Sequence, residues 1–117
     1  MVFTEILKSL SAQTGARGAV MIDRDGEIVA SWPDSSSLDM PLVGAHYEII
    51  LDSVKAAAPG PFGKVGSIFI TTDSARVAVL ALKEEYCLVA VLDRNAPTRR
   101  VLNEAAKAAE LIEKEMG

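Results

Sequence analysis

The residues that could do chemistry in this 117-residue chain are few. It has one histidine, His46, and one cysteine, Cys87. A thiolate beside an imidazole is a nucleophile–base pair, so a Cys87–His46 dyad is the first arrangement to consider. Cys87, however, stands in the apolar run YCLVAVL at residues 86–92. Burial there raises a thiol's pKa and leaves it inert. A single histidine also rules out a His-based metal cluster. Gly63-Lys64 invites a phosphate-loop reading, but that motif needs glycine where Ala58 stands and Ser or Thr where Val65 stands. It would also follow a strand, whereas a helix is expected before it. Asp23-Arg24-Asp25-Gly26 has the look of a calcium loop. Alignment on Gly26 places Met21 and Trp32 at the first and last ligand positions, and neither has a carboxylate oxygen to give. Arg99 and Arg100 could serve as a finger on a nucleotide. They fall in the first turn of a helix and read as solvated side chains working against the helix dipole. There is no G-x-S-x-G and no carboxylate pair in a pocket-forming loop. The expectation is a protein with no catalytic residue, no metal and no cofactor, which acts by binding.

Twelve basic residues against sixteen acidic give a net charge of −4, with no long basic block. Nucleic-acid binding leaves a basic footprint, so none is expected. Half the residues are apolar and 24% are charged, the composition of one globular domain spanning residues 1–117. A lone cysteine suits a reducing cytoplasm. The longest apolar run is far short of the roughly 20 residues that cross a bilayer, so no direct membrane insertion is expected.

Helices and strands must position whatever surface the protein uses. Val2, Phe3, Ile6, Leu7 and Leu10 recur at helical spacing and predict a first helix ending near Gly15. Two apolar stretches, 19–22 and 27–30, flank Asp25-Gly26, a hairpin signal in which both central residues take positive φ. Residues 32–37 read as a loop. A second helix starts near Asp39 to Pro41 and runs to about Ala58, with Pro59-Gly60-Pro61 as the stop. Strands are predicted at 65–71, 76–82 and 86–92, joined by turns too short for anything but antiparallel pairing. The last two are apolar on both faces and so must be covered on both. A closing helix, 98–116, carries Val101, Ala105, Ala108, Ala109 and Ile112 on one stripe. The order α-β-β-α-β-β-β-α predicts a three-layer α+β domain with a five-stranded antiparallel sheet.

The second helix has too much apolar surface for one sheet. On a helical wheel its apolar arc spans roughly 200°, about twice what a helix lying on one sheet needs. The bulkier half, Val43, Tyr47, Ile50, Leu51 and Val54, is expected to meet the same helix of a second subunit.

Three stretches resemble the Roadblock family, which includes dynein light chains of the Roadblock type and bacterial MglB-like proteins. They are residues 15–31 (GARGAVMIDRDGEIVAS), residues 38–43 (LDMPLV) and residues 88–94 (LVAVLDR). The family's Asn-Leu-Gly type turn before the last helix is replaced here by NAPT at 95–98. The resemblance implies strand order 2-1-5-4-3, with the second helix on one face and the other two opposite. It also implies a homodimer built from the second helix and third strand. On that arrangement the edge strand, with Ile68, Phe69 and Ile70, pairs with its own copy, because it carries neither charge nor proline to block pairing. Bacterial members regulate or scaffold small Ras-like GTPases without lending an arginine finger. The implied function is a cytoplasmic homodimeric GTPase regulator or scaffold. Gly44, Glu48, Asp52 and Lys55 are expected on the open, partner-binding side of the second helix. Two alternatives stay open at this point. One is a tethering module that meets no GTPase. The other is a sensory domain holding a small ligand near His46, Tyr47 and Ser53.

Overall fold

The computed structural model describes residues 2–33, 38–57 and 60–117. Residues 34–37 of the expected loop, and Ala58 and Pro59 at the expected end of the second helix, lie outside the described residues. The elements are α1 (Val2–Thr14), β1 (Gly18–Ile22), β2 (Ile28–Trp32), α2 (Met40–Ala57), β3 (Ser67–Thr71), β4 (Arg76–Ala81), β5 (Cys87–Leu92) and α3 (Thr98–Met116). The five strands form one antiparallel sheet in the order β2-β1-β5-β4-β3, the order that the resemblance implied.

Period-two alternation divides the core between the two faces of the sheet. Val20, Ile22, Val77, Val79, Val89 and Val91 point to one side, where Met40 and Leu51 of α2 cover them. Ala19, Met21, Ala78, Leu80, Leu88, Ala90 and Leu92 point to the other, under Leu7 and Leu10 of α1 and Val101, Ala105, Ala108 and Ile112 of α3. One row on that second face runs Trp32, Ala19, Ala90, Ala78, Phe69 across the register. The three central alanines let α1 and α3 approach closely, and the two aromatics close the row at its edges.

Two turns depart from expectation, and both line one end of the sheet. In the β1–β2 hairpin only Gly26 has positive φ, at 84°. The amide of Gly26 donates to the carbonyl of Asp23, and a bulge at Met21/Ile22 absorbs the added residue. Asp23 Oδ1 accepts from the amides of Asp25 and Glu27 at 2.9 and 3.0 Å. That carboxylate caps its own turn. The doubly positive geometry expected at Asp25-Gly26 appears instead in the β4–β5 turn, where Glu84 and Glu85 have φ of 60° and 66°. β2 also runs on to Trp32, which pairs with Ala19, beyond the expected end at residue 30.

Candidate interaction surface

α2 decides what the domain shows to other molecules. Asp39 starts it: its Oδ1 accepts from the amide of Leu42 at 3.1 Å, the geometry of a helix N-cap. The helix lies close against the sheet at Gly44. A Cβ there would lie 2.4 Å from Ile22 Cδ1 and 3.0 Å from Val20 Cγ1. Only glycine allows that approach without repacking. With Met40, Gly44 and Leu51 turned down, the opposite stripe faces water. Its large apolar members are Leu42, 66% exposed, and Ile49, 65% exposed. Ala56, His46 and Ser53 are exposed beside them.

This rotates the helix relative to the sequence reading. Of the four residues expected on the open side, Asp52 is exposed, but Gly44 is buried and Glu48 and Lys55 are half-buried. Leu51, expected at a subunit contact, is 2% exposed and belongs to the domain's own core. Val43, Tyr47 and Ile68 also pack against that core, while Ile50, Val54 and Ile70 are half-buried. The wheel assigned the charged arc to solvent. It could not show that the C-terminal half of α2 passes over the polar turns at the end of the sheet, where charged groups find partners. Lys55 Nζ reaches Glu85 Oε2 in the β4–β5 turn at 3.2 Å. Glu48 lies over the β1–β2 turn, where a Cβ on Gly26 would sit 3.4 Å from its Oε1. Gly44 was the signal that could have placed Leu42 and Ile49 outward.

Glu48 is electrostatically uncomfortable. Its Oε2 is buried with no hydrogen-bond partner. Burial raises its pKa above the ordinary 4.5, and the carboxylates of Asp52, Asp23 and Asp25 raise it further. A carboxyl whose folded pKa exceeds its unfolded value favours the native state while protonated, and that stability is lost as pH rises through the folded pKa. Glu48→Gln therefore raises the melting temperature at pH 7, and the gain disappears below the ordinary pKa of 4.5. Thermal melts of both proteins across pH 3–8 check this; a gain that persists at acid pH would contradict it.

One edge of the sheet belongs to β3. It pairs with β4 on one side and with no strand on the other among the described residues. Ile68 faces the α2 side. Phe69 faces the other side, with the Arg76 guanidinium 4.9 Å from its ring centre. In the connection leading to β3, Phe62 is fully exposed at a turn closed by the Gly63 amide on the carbonyl of Gly60.

The groups considered for chemistry are not brought together. Cys87 lies in the sheet beneath α2, and its thiol is pushed up to about 12, first by burial and then by the negative field of Glu48 and Asp52. His46 is exposed on α2, its ring edge-on to Tyr47 at 4.9 Å. Gly63 sits in a turn with φ of 97° rather than at a helix start. Arg100 is tied to the end of α1 through the carbonyl of Gln13, and Arg99 is exposed. Among the described residues no cluster of His, Cys, Asp or Glu could hold a metal ion, and no helix is long and apolar enough to cross a membrane.

No family model matches the chain, and no curated protein matches it. Solved structures do. MglB of Myxococcus xanthus superposes with a TM-score of 0.86 at 13% identity, over 99% of this chain and 95% of that one. The gliding protein MglB of Thermus thermophilus gives 0.82 at 22% identity, over 96% and 86%. A Roadblock/LC7 domain of Streptomyces avermitilis gives 0.76 at 18% identity, over 97% and 96%. The fold is Roadblock-like.

Proposed function

We propose, with the Roadblock-like fold as premise, that this chain is a homodimeric, non-enzymatic regulator or scaffold that binds a small Ras-like GTPase. The observation that carries the reading is the outward apolar stripe of Leu42 and Ile49 on α2, in a domain whose sheet also ends in the open edge of β3. An exposed apolar stripe and an unpaired strand edge each suit a two-fold contact with a second copy. The partner-binding set reduces to the groups that reach solvent at the end of α2: Asp52, with the half-buried Glu48 and Lys55 beside it. Gly44 drops out of direct contact because it lies against the sheet.

A basic patch on the GTPase would meet this acidic end of α2. Rim charges of this kind act mainly on association rate and its salt dependence. Asp52→Lys should slow association with a co-purifying Ras-like GTPase, loaded with a non-hydrolysable GTP analogue, by about tenfold at low salt. The deficit should shrink at high salt, with dimer mass and melting temperature unchanged. An unaltered rate and affinity at low salt would point to the tethering role instead.

A further inference from the structure

The face of the sheet opposite α2 carries an open groove of about 580 Å³ between α1 and α3. The helices run antiparallel, since Arg100 at the start of α3 donates to the carbonyl of Gln13 near the end of α1 at 3.1 Å. Stepping along both helices from that pair brings Val2 level with Leu111, and Glu5 and Ile6 level with Lys107 and Ala108. All six line the groove. Val2 and Leu111 are 51% and 52% exposed. Glu5 is exposed on the α1 rim. Lys107 is exposed on the α3 rim, with only a loose pair to Glu104 at 3.4 Å.

We propose that this groove seats the α1–α3 pair of a second copy of the chain. A two-fold axis parallel to the helices puts α1 of each copy opposite α3 of the other, at the same level. Glu5 then faces the other copy's Lys107 and Lys107 faces its Glu5, so the rim charges are self-complementary. Val2, Ile6 and Leu111 of both copies fill the space between. The result is an antiparallel four-helix contact in which each helix lies between an antiparallel neighbour of its own chain and one of the other copy. The groove is small, so the contact is weak, with a Kd of about 0.1–1 mM. It does not rest on the α2 dimer, which uses the other face. Where α2 dimers form, each carries two such grooves, and paired weak contacts gain strength by avidity.

The test uses the Leu42→Glu, Ile49→Glu chain, in which the α2 contact is disabled, followed by sedimentation equilibrium up to millimolar concentration. The groove contact predicts a reversible dimer there. Lys107→Glu sets like charges opposite each other twice and raises its Kd about tenfold. Adding Glu5→Lys to Lys107→Glu restores opposite charges and returns the Kd to near its starting value. No association at millimolar concentration, indifference to Lys107→Glu, or failure of the charge swap to rescue would each overturn the proposal. The α2 reading is judged separately, on the unsubstituted protein at micromolar concentration.

Discussion

Replacing Leu42 and Ile49 together by glutamate should turn the proposed dimer into a 12.4 kDa monomer at micromolar concentration. The two leucine and isoleucine side chains are the large apolar groups that α2 turns away from its own sheet. In a two-fold contact each appears twice, so the double variant buries four carboxylates where four aliphatic groups had been. Carboxylates without partners are costly to desolvate. An increase in Kd of about a thousandfold or more follows from a loss of about 4 kcal/mol. The fold itself is spared, because neither residue is buried within the domain. Light scattering behind a sizing column gives the mass, and circular dichroism confirms the unchanged helix content. A variant that stays dimeric would remove α2 from the interface.

Leu51→Ala should act on the same helix in the opposite sense, lowering stability without touching the exposed stripe. Leu51 is the one leucine of α2 with its side chain wholly inside, packed with the valines of β1, β4 and β5. Truncating a buried leucine loses its transfer free energy and leaves a cavity, at a cost of about 3 kcal/mol. The melting temperature falls by roughly 12 °C in a domain of this size. Denaturant titration of the monomeric Leu42→Glu, Ile49→Glu background separates this cost from any change in dimer affinity. A loss under about 1 kcal/mol would mean that α2 is seated some other way.

How much of this was legible in advance follows from what each pattern reports. The strands were found because apolar runs alternate with short polar turns. Their near-continuous apolarity in β4 and β5 correctly required cover on both faces, since Val77, Val79 and Val89 go to one side and Ala78, Leu80 and Leu88 to the other. The excess apolar surface of α2 was likewise visible in its composition. Its orientation was not. A wheel counts polarity, and by that count Glu48 and Lys55 belonged outside. Yet Lys55 reaches Glu85, and Glu48 lies over the Gly26 turn.

The turns show the same division. Asp25-Gly26 did mark a reversal, but the Asp23 side chain took over the local amides and left positive φ to Gly26 alone. Residues 83–85 read as a short polar turn but carry no residue that favours positive φ, and Glu84 and Glu85 still adopt it because β4 and β5 are held in register on both sides of them. The sequence by itself determined the elements, their order and the excess of apolar surface, because periodicity and residue chemistry act over a few neighbouring positions. The tertiary structure alone decided which side of α2 meets the sheet. That choice depends on Ile22 and Val20 leaving room only for a glycine, a contact between residues more than twenty positions apart that no local pattern records.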